Sequence, residues 1–455
     1  MKHHAKHHTH KPTVSKWLVA GSALFGLCLP AQAMDLLQVY LAAKTQDATL
    51  LAAKATAAAE SERLPQARAQ MLPNISVNLS STKNQLESTT PNFFGQEQTT
   101  NTSYPSSNKT VALRQPLYRP QLAAQYRQAR ALVDDAEAAL ALEEQNLAVR
   151  VSSAYFEAML THDQLALVQA QQMAYTTQLD AARKTFEAGS GTRTDIDEAQ
   201  ARIDMNLALE IEARQNVTYT LQQLQSMTRD PIDKLATLNV AKLELLAPQP
   251  DNLEDWSARA EQTNPQIQSL KARVEIARQE VAKARSGHLP TLDAVAQWQQ
   301  SESENVTNTS NRYTNNSVAL QLNIPIFAGG YVNASVRQAL ASQERAEQTL
   351  EFGKRNLSLR VHKEFRGVTE NIPKIKALEQ ALRSADQLVL SSRKSFQAGS
   401  RTVLDILNAE QQRVVTLRDL AQARYMYLIS KVRLLALVRG ADTEAVAAVN
   451  SVLKN

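Results

Sequence analysis

Along most of this chain, hydrophobic residues recur with a helical spacing. Residues 121–187 contain neither glycine nor proline, and a mostly apolar position returns every seven residues. A heptad pattern sustained over this length predicts a coiled-coil helix on the order of 100 Å long. Its seam consists of Val133, Leu140, Leu147, Ala154, Thr161, Val168, Tyr175 and Ala182.

A second heptad series predicts an equivalent helix in the second half of the chain. Gly353, Gly367 and Pro373 lie within this helix, and we expect them to bend or loosen it. Shorter helical segments are predicted at about 35–71, 194–227, 252–286 and 402–438. The second seam consists of Val361, Val368, Ile375, Leu382, Val389 and Phe396.

Four short segments follow a period of two instead, at about 74–82, 108–117, 291–300 and 313–326. Ile75, Val77 and Leu79, for example, alternate with polar residues. This alternation predicts strands with one apolar and one polar face, joined in pairs by polar loops at 82–108 and 301–316. Membrane barrels need about eight strands, so four cannot close alone and copies of the chain must pool their strands.

The chain is also internally duplicated. An offset of 210 positions aligns residues 183–199 with 393–409, and an offset of 217 aligns 67–73 with 284–290. We therefore predict two repeats, 34–228 and 252–440, each consisting of a helix, two strands, a long helix and a returning helix. A linker at 229–251 joins the repeats, and a tail at 441–455 follows them.

Residues 1–33 have the pattern of a secretory signal peptide. Four lysines without an acid precede an apolar run, and Ala31-Gln32-Ala33 provides the small-residue cleavage site. The leader contains Cys28, which is the one cysteine of the chain, and a histidine tract, which we do not interpret as a metal site. Its lysines account for most of the excess of 50 basic over 45 acidic residues. The mature chain therefore has no basic stripe for nucleic acid.

Beyond the leader, no apolar run reaches the roughly 18 to 20 residues that a membrane helix requires. His162, His288 and His362 are isolated and lack metal-ligand spacing. A nucleophile elbow and a phosphate-binding glycine loop are also missing. We therefore expect no catalysis, no cofactor and no metal ion.

Taken together, these elements resemble the TolC-like outer membrane factor family. The resemblance depends on the duplicated element order, on Leu72-Pro73 and Leu289-Pro290 before each strand pair, on Pro116 and Pro325 after them, and on glycine-containing hairpin tips. It covers essentially the whole mature chain. The fold it implies is an α+β membrane protein, a homotrimer whose four strands per protomer form one twelve-stranded outer-membrane β-barrel. A long α-helical coiled-coil barrel would continue this barrel into the periplasm.

The function implied by the resemblance is a passive outer-membrane exit duct for multidrug efflux, type I protein secretion or both. Its expected partners are outer-membrane lipid, a periplasmic membrane-fusion adaptor and an inner-membrane transporter, either ABC-type or proton-driven. The alternative is a periplasmic adaptor or another exported coiled-coil interaction protein. An adaptor shares long helical hairpins, but it needs neither four amphipathic strands nor the duplication.

The two hairpin tips contain the candidate functional residues. Gly189 and Gly399 suit the left-handed position after a helix end, and Thr192 and Thr402 each precede an aspartate at capping-box spacing. Helix capping alone is one interpretation of these residues. The resemblance adds adaptor docking, which would involve Gly189, Ser190, Gly191, Thr192, Gly399, Ser400 and Thr402.

The resemblance also implies a gate at these tips. Arg401 would link to Asp195 and close the periplasmic entrance, while Asp405 would line the constriction. Three such carboxylates around a threefold axis favour cations. Phe396 stands where the family commonly has a tyrosine, and Asn408 stands where it has a second ring acid. We therefore expect a weaker cation block and a looser closed state than in channels with both.

Overall fold

The structure is a computed structural model that describes residues 33–232, 234–304, 310–439 and 443–454. The predicted signal peptide, except for Ala33, lies outside the described residues, as does the start of the predicted tail at 441–442. Ten α-helices are described: α1 Leu36–Gln46, α2 Ala48–Ser61, α3 Arg63–Ala69, α4 Pro120–Glu187, α5 Arg193–Thr228, α6 Leu253–Thr263, α7 Pro265–Arg285, α8 Tyr331–Gln397, α9 Val403–Arg439 and α10 Thr443–Asn450.

The heptad patterns produce two very long helices. Helix α4 has 68 residues and α8 has 67, which corresponds to roughly 100 Å each at ~1.5 Å per residue. Helix α8 continues through Gly353, Gly367 and Pro373. A side chain at Gly353 would collide with Leu270 of α7, and one at Gly367 would collide with Ser430 of α9. These glycines therefore let α8 approach its neighbours closely, a role that the sequence interpretation missed.

The alternating segments form four strands, β1 Asn74–Pro91, β2 Glu97–Tyr118, β4 Thr291–Glu304 and β5 Ser310–Asn323, and a small separate sheet pairs β3 Thr237–Leu238 with β6 Leu453–Lys454. The four strands make one antiparallel sheet with the order β1-β2-β4-β5. Val111 pairs with Trp298 where the two repeats meet, and β1 and β5 are the unpaired edges. Most apolar side chains of β1 and β5 are exposed in the protomer.

The first strand pair extends well beyond the predicted segments. Pairing continues without interruption from Thr82 with Ser106 to Pro91 with Glu97, through residues predicted to form a polar loop. The loop prediction for 82–108 is therefore wrong, because ladder hydrogen bonds join backbone groups and do not require apolar alternation. The actual turn is short, and Asn92 accepts hydrogen bonds there from the backbone N–H groups of Phe94 and Gln96.

The largest hydrophobic core lies around the middle of the long helices. Tyr155 and Phe156 of α4, Ile375 of α8 and Tyr427 of α9 are fully buried there against α1, α6 and the segment that joins the repeats. The Tyr427 hydroxyl donates to the Leu246 carbonyl at 2.9 Å, so this segment is held against α9.

Among the described residues, no helix combines the length and the apolar character needed to cross a membrane.

Candidate gate at the helical hairpin tips

Both hairpin tips are built in the same way. Gly189 follows α4 with a φ of 74°, and Gly399 follows α8 with a φ of 75°, so both adopt the left-handed conformation that glycine tolerates best. The N–H of Gly189 donates to Phe186 O at 3.0 Å, and the N–H of Gly399 donates to Phe396 O at 2.9 Å. These bonds satisfy the last carbonyls of each helix and fix the direction of the returning chain.

The returning helices begin with reciprocal caps. The Thr192 N–H donates to Asp195 Oδ2 at 3.0 Å, and the Asp195 N–H donates to Thr192 Oγ1 at 3.2 Å. Thr402 and Asp405 repeat this arrangement at 2.9 and 3.4 Å. The Thr402 N–H and hydroxyl groups, with a smaller contribution from Arg401, hold the pKa of Asp405 below its ordinary value. Asp405 therefore remains a carboxylate at any physiological pH.

The two tips border one cleft. Asp195 lines it from the first tip, and Phe396 and Arg401 line it from the second. Within the protomer, Arg401 donates to Ser392 Oγ at 3.0 Å and does not pair with Asp195. The structure thus brings the predicted acid and base to one cleft without joining them, and their link stays a prediction.

Phe396 and Asn408 have different surroundings. Phe396 packs against a small apolar cluster that includes Tyr175 and Leu407, so its ring contributes packing where a tyrosine would add a hydroxyl group. The Asn408 amide oxygen accepts a hydrogen bond from Arg202 Nη2 at 2.9 Å. Arg202 also donates from Nη1 to Gln411 at 2.6 Å, which joins α5 of the first repeat to α9 of the second.

Arg202 was missed by the sequence interpretation. It follows Asp195 by seven residues on α5, so the two lie on the same face of the helix. That spacing could have identified it. Its guanidinium group places a positive charge beside the position where a second ring acid was expected.

A second missed cluster joins the repeats at the base of the sheet. The carboxylate of Asp293, on β4, accepts hydrogen bonds from Arg114 Nη2 at 2.6 Å and from Arg119 Nε at 2.7 Å. Its side chain is only 4% exposed. Arg114 lies in β2, four residues before its last residue Tyr118, and Arg119 immediately precedes α4. The cluster therefore helps to fix the angle between the sheet and the first long helix.

Comparisons with known proteins agree on one family. The family model described as "Outer membrane efflux protein" matches residues 39–228 and again 256–439, once in each repeat. The alkaline protease secretion protein AprF of Pseudomonas aeruginosa is 34% identical over 442 residues, which cover 95% of this chain and 90% of that protein. The outer membrane protein TolC of Escherichia coli is 28% identical over 96% of this chain and 88% of its own length.

The fold has a close counterpart among solved structures. The outer membrane protein VceC of Vibrio cholerae superimposes with a TM-score of 0.74 at 16% identity, covering 89% of this chain and 96% of that one. This likeness concerns the fold alone. The family itself is shown by the twofold match of the family model and by the 34% identity to AprF. The chain belongs to the outer membrane efflux protein family, whose members are outer membrane channels that extend into the periplasm.

Proposed function

We propose that three copies of this chain form a passive exit duct through the outer membrane, gated at its helical tips. The observation that carries the proposal is the open sheet. Edge strands β1 and β5 leave unpaired backbone groups, and no spanning structure can keep such groups unpaired in lipid. Their outward side chains, such as Val77 and Leu320, are apolar and exposed. Pairing β5 of one copy with β1 of the next would satisfy the backbone and turn this apolar face to lipid.

The long helices supply the periplasmic part of the duct. Each spans roughly 100 Å, and the tips lie at the end of the helices that is remote from the sheet. The backbone of Met34 is held at both groups: its N–H donates to Lys234 O at 3.0 Å, and its carbonyl accepts from the Tyr155 hydroxyl at 3.0 Å. A mature chain that starts at residue 34, as we propose, would keep this anchoring of its first residue.

We place the gate at the tips, where Asp195, Phe396 and Arg401 line one cleft. Three Asp405 carboxylates would form one acidic ring, and Arg401 would reach an Asp195 carboxylate to close the entrance. Asn408 contributes no charge to a second ring, and Arg202 beside it adds a positive one. We therefore propose a single acidic constriction with weaker cation block than a pair of acidic rings would give.

The partners follow from the passive design. A passive duct needs an inner-membrane transporter as its source of energy and an adaptor to connect the two. The adaptor would dock on the exposed hairpin tips, at Gly189, Ser190, Gly191 and Thr192 and at their second-repeat equivalents. Similarity to a protease secretion protein favours type I secretion, in which the cargo is a protein and the transporter is of the ABC type. Multidrug efflux with a proton-driven pump is the second candidate, supported by the efflux family match.

Single-channel recording tests the proposal. Residues 34–455 are purified, inserted into a planar bilayer and exposed to a trivalent cation on one side and then on the other. We expect discrete cation-selective steps that are blocked from the tip side alone. A chain that never inserts would contradict the duct and favour the adaptor interpretation. Steps that are blocked equally from both sides would contradict the position of the acidic ring.

A further inference from the structure

We infer that the outer face of α8 in one copy packs on the outer face of α2 and α3 in the next copy, with Arg337 of one opposite Glu62 of the other. The inference rests on the proposed trimeric duct and specifies how its protomers recognise each other. The template is the junction between the two repeats within a single protomer.

The order of packing provides the first step. Helix α2 packs on α4, α4 packs on α7, and α7 packs on α8, just as the strands follow the order β1-β2-β4-β5. The α4–α7 contact therefore joins the long helix of the first repeat to the first helices of the second. Since the repeats are equivalent, α8 carries the kind of face that α4 presents to α7, and α2 carries the kind of face that α7 presents to α4. Both of these faces are exposed in the protomer. A second copy can continue the series by placing its α2 on α8.

The duplication fixes the register of this contact. The offset of 217 carries Asn264, the N-cap of α7, to Asp47, the N-cap of α2. It also carries the fully buried Ile267 to Leu50, which is 1% exposed. Two independent features thus agree on the alignment of the shorter helices. For the long helices, the offset of 210 aligns the Arg-Gln-Ala segment at 127–129 with the same three residues at 337–339.

Burial identifies which faces lack a partner. On α7, the residues that contact or face α4 are buried, whereas their α2 and α3 equivalents are exposed in the protomer. The same holds for small residues of α4 and their α8 equivalents. The pairs, buried member first, are Ser269 and Ala52, Ala272 and Ala55, Gln279 and Glu62, Ala124 and Ala334, and Ala131 and Ala341. Alanine on both open faces lets two helices approach closely, as it does within the protomer.

The charges supply a specific contact. At the internal junction, Arg127 Nε donates to Gln279 Oε1 at 2.9 Å. The offset of 210 aligns Arg127 with Arg337, and the offset of 217 aligns Gln279 with Glu62. The equivalent pair at the open junction is therefore a guanidinium opposite a carboxylate. In the part of the chain that the structure describes, neither side chain has an ion-pair partner within the protomer. The open junction therefore carries a charge-assisted hydrogen bond where the internal one carries a neutral acceptor.

Thiol crosslinking tests the contact, because the mature chain has no cysteine of its own. An arginine and a glutamate in contact hold their Cα atoms too far apart for a disulfide, so a short bismaleimide is the probe. We expect a chain with Glu62→Cys and Arg337→Cys to give covalent dimers and trimers on a denaturing gel. Each single variant should remain monomeric.

The internal junction provides the matched control. A chain with Arg127→Cys and Gln279→Cys should crosslink within itself and give a monomer of altered mobility. If this control reacts and the Glu62/Arg337 chain gives no interchain product, the inference is overturned. Single-channel conductance of the uncrosslinked variants distinguishes this helix contact from the proposed duct. Conductance steps without a crosslinked interchain product would refute the contact alone. Crosslinked trimers that give no conductance steps would refute the duct alone.

Discussion

The Asp293 cluster allows a prediction whose size can be worked out from the structure. Asp293 on β4 accepts hydrogen bonds from both Arg114 and Arg119, so one carboxylate connects the second repeat to strand β2 and to the start of α4 in the first repeat. The substitution Asp293→Asn keeps the shape of the side chain and removes its charge. It leaves two guanidinium groups facing each other with one neutral acceptor between them, and we expect it to destabilise the folded protein.

The expected loss lies between two limits. Removing one partner of a fully buried ion pair costs about 3–5 kcal/mol. Asp293 is buried, but the side chains of Arg114 and Arg119 are 52% and 30% exposed, so water can solvate both once the carboxylate is gone. Exposed pairs contribute only about 0.2–1 kcal/mol. We therefore expect a loss of roughly 1–3 kcal/mol. In a chain of 455 residues, with an unfolding entropy of ~2.1 cal/mol/K per residue, this loss lowers Tm by about 1–3 °C.

Thermal unfolding in detergent measures this loss, with protein concentration fixed because the assembly contributes to stability. Glu302→Gln is the matched control, since Glu302 pairs with Arg312 across β4 and β5 while 41% and 62% of the two side chains are exposed. We expect the control to shift Tm by no more than about 1 °C. An Asp293→Asn variant that melts with the control or above it would refute the reasoning that this cluster holds the sheet to the helices.

Four further predictions concern the gate. Asp405→Ala should weaken block by a trivalent cation on the order of 100-fold, the effect of a triple charge about 4 Å from one carboxylate in water. Asp197→Ala is the control, since it removes an exposed carboxylate near the first tip that has no part in the proposed gate. An equal loss of block in that control would place the ring elsewhere. Because the pKa of Asp405 is lowered, cation block and the contribution of the Asp405 cap to stability should persist as pH falls to about 4 and disappear only below it. Cation block recorded at pH 7, 5 and 4 checks this prediction. A loss of half the block at pH 5 would contradict it. Arg401→Ser should raise the resting conductance severalfold if Arg401 closes the entrance, and an unchanged conductance would exclude it from the gate. Arg202→Gln should strengthen block by about fivefold through loss of the positive charge beside Asn408, whereas unchanged block would place Arg202 outside the field of the pore.

Local patterns in the sequence were sufficient to predict the repeating parts of this protein. Heptads predicted the long helices, alternation located the four strands, and the spacing of Thr192 to Asp195 predicted a cap that forms as expected. These features depend on neighbours within a few residues, so the local order of side chains is sufficient to specify them. The duplication was equally visible, because it is a property of the sequence itself.

The extent of the strands and the polar contacts between repeats depend on tertiary packing, so local patterns did not predict them. Pairing beyond Thr82 depends on a partner strand, and backbone hydrogen bonds leave no mark in the side-chain pattern. Asp293 meets Arg119 across 174 positions and Arg202 meets Asn408 across 206. Such pairs form only after the helices and strands have packed, because packing of distant elements decides which charged side chains come within hydrogen-bond reach.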